Sequence, residues 1–507
     1  MLVALIVTML AVACGGRGGD SAVPDGTVVV GVATLQEQQP DPLIANVGSN
    51  LYPVKWSVGE FLINRDETGE LVPGLAENWE VSPDGLSWTV RLRRDVYMQD
   101  GSPFTAADVK TSMDRAVANQ GDPLFSGYAL WSSVVSTVDV VDEHAIRLTL
   151  DRPFSNALVD APAPIASGYY QRVGEAEFRR KPIAAGPWIF ESQKQNDSMS
   201  FRRFEGFWDP SRTPTAKRLV LRIIPDETQR VAALQTGQID IAANLSPASI
   251  YQISDGTVDV PDASQANIYF PDLFTGRPGR AADPRVRRAL LMAIDRRGIV
   301  DVLYGGRGSV ANSAFLPTTL GFEPAPDIPY DPDGARSLLA EAGAEGMEFE
   351  LTTYAASTSV ADVQKLAETV VSYWQQAGVK AKLNIVEPAT YLANVRAHKY
   401  SDAIILCSPG SLLADPSQFS TFFSSQGAYS ALKNEGIDRL FRQLDETRTV
   451  EDKEAVAREL QRELDEKQYS SPLVNTTAVH GVGPRIAEWI PMAGNPVPGP
   501  YWTLETT

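Results

Sequence analysis

The chain has 507 residues, 43% of them hydrophobic and 21% charged, which is typical of globular proteins and not of disordered or polytopic membrane chains. Lysine and arginine number 45 against 63 aspartate and glutamate residues, so the formal net charge is −18. Because nucleic-acid affinity depends on basic side chains that contact phosphates, this charge excludes a nucleic-acid-binding role. Enzymes, binding proteins and scaffolds remain, with a length that allows several lobes or domains.

The amino-terminal segment is typical of a secretory signal. Leu2 to Ala13 is an apolar run shorter than the roughly 20 residues that cross a bilayer, and small residues lead into Cys14. This resembles a bacterial lipoprotein signal, in which the cysteine becomes the acylated mature amino terminus. We therefore expect residues 1–14 to form the signal and lipidation motif and 15–26 a flexible tether. The alternative is an ordinary secretory signal with an incidental cysteine.

Cysteine usage gives no sign of thiol catalysis or of disulfides. Lipidation of Cys14 would leave Cys407 as the single thiol, so no intrachain disulfide could form. The hydrophobic core must therefore stabilise the fold. A catalytic thiol would need a paired histidine, whereas His144, His398 and His480 are scattered and lie in no motif. We expect Cys407 to be a buried structural residue.

The first predicted elements are strands. The β-branched run Val28 to Val32 predicts a first strand. The turn tripeptide Pro83-Asp84-Gly85 separates two stretches in which apolar and polar residues alternate, which predicts a hairpin with one buried face. A second hairpin is predicted around Asp142-Glu143.

Helices follow, and most have a clear start signal. Thr105 with Asp108 approximates a capping box. Asp283-Pro284 and Asp331-Pro332 each supply an N-cap and a proline at the first helical position. A helix predicted over 363–376 leads into a strand, as in a βαβ unit. Strands and helices interleave, which favours α/β lobes.

The sequence contains no recognisable catalytic or metal-binding motif. Gly-x-Ser-x-Gly, His-Glu-x-x-His, Cys-x-x-Cys and the phosphate-binding Gly-x-x-x-x-Gly-Lys are absent. The glycines at 305–308 follow a predicted helix, so they indicate a helix stop and not a dinucleotide loop. Paired carboxylates for glycoside chemistry are conceivable in so acidic a chain, but nothing selects a pair. We expect no enzyme activity, no cofactor and no metal.

Several stretches resemble, in family order, the extracytoplasmic solute-binding proteins of ABC importers, in the family 5 group for oligopeptides, dipeptides, nickel complexes and opines. They are residues 71–85, 100–109, 185–188, 207–209, 237–240, 283–296 and 330–339. The likeness extends over about residues 27–475. It implies an α/β, periplasmic-binding-protein-like fold of the large type II class, with two hinged lobes and an extra subdomain.

The resemblance also implies boundaries for these parts. They are 27–45, 183–262 and 475–507 for lobe I, 46–182 for the subdomain inserted in it, 263–474 for lobe II, and 262–268 and 472–475 for the hinge crossovers.

The segment around Asp415-Pro416 bears on the ligand. In peptide-binding members of the family an acidic residue a few positions before such a pair receives the ligand's α-amino group, since a buried ammonium needs a counter-charge. Here Leu412 stands at that position and Pro409 replaces the usual aromatic residue. We therefore expect a polar solute read by neutral polar and aromatic groups, not an anchored free amine.

Eight residues are predicted to contact this solute, although core packing is the alternative for the aromatic ones. They are Tyr52, Trp56, Trp131, Tyr354, Ser408, Ser411, Asp415 and Gln418.

The resemblance implies a monomeric substrate-binding lipoprotein, tethered by lipid to the extracytoplasmic face of the bacterial cell membrane. It would capture a peptide-like or other small polar solute and deliver it to the permease and ATPase subunits of an ABC importer. The alternatives are a surface protein that binds ligand for sensing or peptide chaperoning, and an enzyme such as a glycosidase.

Overall fold

The structure is a computed structural model of the chain. It describes residues 23–35, 38–44, 52–66, 71–253, 256–275, 279–354, 363–400, 402–410, 414–430, 432–447, 449–496 and 498–507.

The strands are numbered β1 to β19 in chain order. They are Thr27–Val32, Ile63–Arg65, Leu71–Pro73, Ala76–Val81, Ser87–Leu92, Val135–Asp142, Ala145–Leu150, Trp188–Lys194, Ser198–Arg203, Arg218–Ile223, Ile241–Ala242, Thr257–Tyr269, Gly308–Val310, Glu348–Tyr354, Lys380–Val386, Ala403–Pro409, Ser470–Val482, Ile486–Glu488 and Glu505–Thr506.

The helices are interspersed with these strands. The α-helices are Tyr52–Val58, Ala106–Ala118, Ala129–Ser132, Ser167–Val173, Glu175–Arg180, Glu227–Gln235, Pro247–Ile250, Asp272–Thr275, Pro284–Met292, Arg296–Leu303, Pro332–Glu341, Val363–Gln376, Pro388–Arg396, Ser420–Phe423, Glu435–Glu446 and Val450–Lys467. Short 3₁₀-helices are Pro123–Tyr128, Pro210–Arg212, Arg280–Ala282 and Pro416–Phe419. Across the described ranges, no helix combines the length and the apolar character needed to span a membrane.

Eleven strands of the described chain form one long mixed sheet in the order β15-β14-β16-β12-β17-β11-β1-β10-β9-β8, with β13 paired to β17. At one end β14 is parallel to both β15 and β16. Towards the other end β1 is parallel to both β10 and β11. Each parallel group has helices packed on it, so two α/β halves share one sheet.

Two strands of 13 residues each, β12 and β17, connect these halves. Residues 257–260 of β12 pair with 478–481 of β17, and β17 pairs there with β11. Past a register irregularity between Val260 and Ser264, β12 pairs with both β17 and β16. Asp262, inside this irregularity, has a φ of 48°, in the left-handed region. The predicted crossovers at 262–268 and 472–475 fall within these two strands.

A separate antiparallel sheet, in the order β4-β5-β7-β6, forms the centre of a further unit. The helix Ala106–Ala118 packs against it, and the two elements share a core that includes Trp88, Met113 and Trp131. Thr105 and Asp108 form the expected capping box, in which the Asp108 carboxylate accepts a hydrogen bond from the Thr105 backbone N–H at 2.8 Å. We call this the four-stranded unit.

Local signals in the sequence explain most of these elements. The turn at Pro83-Asp84-Gly85 joins β4 to β5, and Asp142 lies at the turn between β6 and β7. The carboxylates of Asp283 and Asp331 cap their helices by accepting backbone N–H groups at 2.8 Å each. The predicted hairpins and Asp-Pro helix starts are therefore confirmed.

Candidate functional site

The carboxyl ends of the parallel strands β14 and β16 lie side by side in the long sheet. In open α/β sheets, ligands bind in the crevice outside these ends. Tyr354 is the last residue of β14, and Ser408 is the last but one of β16. The structure thus brings two of the predicted contact residues to adjoining strand ends, beside the connecting strand β12.

The two side chains have defined surroundings. Ser408 is buried and lies opposite Gln265 in the sheet. The half-buried ring of Tyr354 lies 5.1 Å from that of Tyr391, centroid to centroid. Burial raises the pKa of Tyr354, so its hydroxyl remains protonated and can donate a hydrogen bond at neutral pH.

A chain of buried amides runs along the connecting strands, and no sequence motif marks it. Asn267 donates to Gln265 at 2.8 Å, and Gln265 donates to Asn475 at 3.0 Å and to the backbone oxygen of Ser313 at 3.1 Å. The Oδ1 atom of Asn267 is buried and has no hydrogen-bond partner among the described residues. The sequence did contain a sign of these amides. Gln265 and Asn267 alternate with Ala266 and Ile268, which gives the strand one polar face.

Asp415 is held inside the protein by an ion pair. One carboxylate oxygen caps the 3₁₀-helix by accepting the Ser417 backbone N–H at 2.8 Å, and the other lies 2.9 Å from the Lys453 Nζ. The Lys453 ammonium also donates to Ser155 Oγ and Asn156 Oδ1, at 3.3 Å each. The Asp415 and Lys453 side chains are only 11% and 12% exposed, respectively. Asp415 is therefore neutralised by a residue of the chain itself.

Gln418 and Asp445 make two further contacts with the four-stranded unit. Gln418 Nε2 donates to an Asp160 carboxylate oxygen at 3.2 Å. Arg152 Nη1 lies 3.0 Å from an Asp445 carboxylate oxygen. Burial raises the pKa of Asp445 to about 6, against the opposing effect of the Arg152 charge. Gln418 is thus placed at a contact between two parts of the chain.

The other predicted contact residues lie elsewhere or outside the described residues. Trp131 is 1% exposed, and its Nε1 donates to the Ala157 backbone oxygen at 2.8 Å, so its ring offers no free surface. Trp56 is half-buried and packs against Gly499. Tyr52 is the first residue of the helix Tyr52–Val58. Ser411, like Leu412 and Cys14, lies outside the described residues.

The thiol of Cys407 has no catalytic features. Burial raises its pKa to about 12, so it stays protonated at neutral pH and is a poor nucleophile. Within the parts of the chain that the structure describes, no three His, Cys, Asp or Glu side chains are grouped so as to hold a metal ion.

Comparison with known proteins gives consistent matches. A family model described as bacterial extracellular solute-binding proteins, family 5 Middle, matches residues 70–430. The glutathione-binding protein GsiB of Shigella boydii is 30% identical over 404 residues, which are 78% of this chain and 75% of that protein. The dipeptide-binding protein of Escherichia coli is 28% identical over 356 residues, 65% of this chain and 66% of that protein.

A solved structure extends the likeness to the fold. The structure of NikA from Brucella suis in complex with Fe(III)-EDTA matches with a TM-score of 0.81 at 23% identity, over 95% of this chain and 100% of that one. The match shows that the fold is a two-lobed, mixed α/β binding-protein fold.

Proposed function

We propose that the chain, which belongs to the bacterial extracellular solute-binding proteins of family 5, captures a small polar solute outside the cytoplasmic membrane for the permease of an ABC importer. One observation carries the location of the site: Tyr354 and Ser408 lie at adjoining carboxyl ends of parallel strands, next to the strands that connect the two halves. We place the solute there, between lobe I and lobe II. Lobe I comprises 27–45, 183–262 and 475–507 and carries the inserted subdomain 46–182, and lobe II comprises 263–474.

The charges around this site favour a solute without a free ammonium group at the recognised end. A buried ammonium needs an unshared carboxylate, and the carboxylate of Asp415 is already paired with Lys453. Ser408 and the buried amides instead offer neutral hydrogen-bonding groups. Relatives named for dipeptides and glutathione support a peptide-like solute, and the pairing of Asp415 with Lys453 favours one whose amino end is blocked or internally neutralised.

Capture follows from closure of the lobes around β12 and β17. A solute that contacts both lobes gains contacts in the closed form that the open form lacks, so it shifts the population towards the closed form. The irregular pairing between Val260 and Ser264 supplies a flexible point in β12, since few ladder hydrogen bonds hold it there.

A thermal-shift screen tests the solute class. The probes are dipeptides and tripeptides, their N-acetylated forms, opines, sugars and metal chelates. A ligand present at 100 times its Kd stabilises the folded form by about 2.7 kcal/mol, enough for a measurable rise in Tm. We expect N-acetylated peptides or other polar solutes without a free ammonium group to raise the Tm. A rise with free peptides that acetylation abolishes would contradict the proposal.

Two tyrosine variants test the location of the site. Tyr354→Ala should abolish the ligand-induced rise in Tm, because it removes an aromatic wall and a hydroxyl at the strand ends. Tyr251→Ala is the matched control, since Tyr251 is 83% exposed. Equal ligand-induced shifts in both variants would place the solute elsewhere.

The membrane and transport partners are part of the same proposal. We expect a monomer anchored through acylated Cys14 on the extracytoplasmic face, working with permease and ATPase subunits. Several acyl chains hold a protein firmly on a bilayer, whereas one alone binds marginally. Cys14→Ser should release the protein from the membrane fraction. Full retention of the variant there would exclude the lipid anchor.

A further inference from the structure

Two parts of the protein that have separate cores meet through charged side chains. Arg152, Ser155 and Asn156 follow strand β7 in the four-stranded unit, whose core includes Phe154 and Ala157. Asp415, Asp445 and Lys453 surround a different core, which contains Phe419, Leu444 and Ala457. These six polar residues are referred to as the latch.

Lys453 is the centre of the latch. Its ammonium has three oxygen partners, one of them on its own side, Asp415, and two across the contact, Ser155 and Asn156. An ammonium has three N–H donors, so this arrangement satisfies all of them. Because the Lys453 side chain is mostly buried, the ion pair with Asp415 is screened by salt less than an exposed pair.

Arg152 and Asp445 form the outer part of the latch. The Arg152 side chain is 47% exposed and that of Asp445 19%, so water reaches this pair from one side. Asp445 also lies within the electrostatic influence of Lys453 and Asp415. The two pairs therefore form one connected cluster of charges, with Lys453 on its buried side.

These contacts depend on how the two parts are placed. The chain separation is 298 residues between Lys453 and Ser155 and 293 between Arg152 and Asp445, so no local structure brings them together. The bonds join protein groups alone, so they favour this arrangement, with the two parts in contact, before any solute arrives. On the basis of the proposed function, we infer that Lys453 and Arg152 are positioning residues for solute capture, which hold the four-stranded unit against the second lobe.

Opening of the latch should weaken the affinity for the solute. When only a fraction of the protein is closed, the apparent Kd for the solute rises in inverse proportion to that fraction. Loss of Arg152 removes a part-exposed ion pair, which corresponds to a shift of about two- to fivefold towards the open form. Loss of Lys453 removes the ammonium that faces the mostly buried Asp415 carboxylate, and opening would hydrate that carboxylate. We therefore expect a larger shift for Lys453→Met, on the order of tenfold or more.

Small-angle X-ray scattering of the full chain without solute tests the latch. Arg152→Ala, Asp445→Ala and Lys453→Met should each raise the radius of gyration relative to the wild type. Arg91→Ala is the matched control, because Arg91 and Asp142 form an exposed ion pair of 3.2 Å within the four-stranded unit. If Arg152 stabilised only the four-stranded unit, its replacement would leave the radius of gyration unchanged. Because Arg152 acts through Asp445, the double variant Arg152→Ala, Asp445→Ala should open no further than either single one.

The wild type supplies a second measurement that needs no variant. Raising the salt concentration from 0.15 M to 1 M shortens the Debye length from about 8 Å to about 3 Å, which weakens the outer ion pair. We expect the radius of gyration of the wild type to rise over this range, and that of Arg152→Ala to change less. If circular dichroism shows that Lys453→Met does not fold, this salt series still tests the latch.

The outcomes separate the latch from the proposed function. An unchanged radius of gyration in folded Arg152→Ala and Lys453→Met, or in the wild type across the salt series, overturns the latch and leaves solute capture standing. A solute screen without any hit, combined with opening of the variants, overturns the solute class and leaves the latch as a contact between the two units.

Discussion

The Nδ1 atom of His480 accepts a hydrogen bond from the backbone N–H of Asn244, with the two nitrogen atoms 3.1 Å apart. His480 is fully buried on β17, and burial lowers its pKa to about 3. The histidine is therefore neutral in the folded protein, and only the unfolded chain takes up a proton readily at its ordinary pKa of about 6.5.

This predicts a loss of stability in acid that can be assigned to one residue. Between pH 6.5 and pH 3 the unfolded chain binds more protons at His480 than the native protein, so native stability falls as the pH falls. The slope approaches about 1.4 kcal/mol per pH unit for one proton. His480→Gln keeps an acceptor for Asn244 but does not titrate. Urea unfolding between pH 7.5 and pH 4.5 should show a shallower decline for the variant, and identical slopes would contradict the prediction.

Asp445 should have the opposite pH dependence. Its pKa is raised to about 6 in the native protein, against about 3.9 in an unfolded chain, so the native form binds more protons between these values. Its contribution to native stability thus rises as the pH falls from above 6 towards 3.9. Asp445→Asn removes this gain. We expect the Tm of the wild type, relative to that of Asp445→Asn, to increase from pH 7 to pH 5; a constant difference would show that Asp445 titrates normally.

Replacement of Trp131 should change stability and leave solute affinity intact. Trp131→Ala removes a side chain that is 1% exposed, and such truncations cost about 3–5 kcal/mol. Trp131→Phe keeps most of the ring but leaves the Ala157 carbonyl without its indole donor, which costs about 1–3 kcal/mol. Urea unfolding measures the loss, and titration with the solute found in the screen measures the affinity. A Kd raised more than tenfold in folded Trp131→Phe would identify Trp131 as a contact residue.

Gly410 should not tolerate a side chain. A Cβ atom there would collide with the carbonyl oxygen of Asp262, in the irregular part of β12. Overpacking of this kind costs about 1–3 kcal/mol, so Gly410→Ala should lower the Tm. Gly168→Ala is the control, because a Cβ atom at Gly168 would have no other atom within 4 Å. Gly168 also lies in the helix Ser167–Val173, where alanine is favoured over glycine. Equal Tm changes in the two variants would contradict the predicted collision.

The family and the two-lobed α/β fold could be predicted from the sequence, and both are confirmed. Their signals are local: a turn tripeptide, a capping box and an Asp-Pro pair each act on the few residues around them. The helix predicted over 363–376 ends at Gln376 as observed, because its apolar period and the glycine that closes it lie within one stretch.

The surroundings of the candidate site could not be predicted in the same way. The partners of Gln418 and Lys453 in the four-stranded unit lie 258 and 298 residues away along the chain, and no periodicity or spacing in the sequence indicates such a contact. The sequence also could not show whether Trp131 packs in a core or lines a ligand pocket, since an aromatic ring is buried in both cases. The solute contacts at Tyr354, Ser408 and Gln418 stay predictions.

Strand β17 determines when this protein can finish folding during synthesis. It lies between β12 and β11 and also pairs with β13, so it occupies the middle of the long sheet. Residues 470–482 leave the ribosome, and cross a membrane, after the strands β11, β12 and β13 with which they pair. Until they arrive, β11 and β12 present unpaired edges, which invite association with other chains.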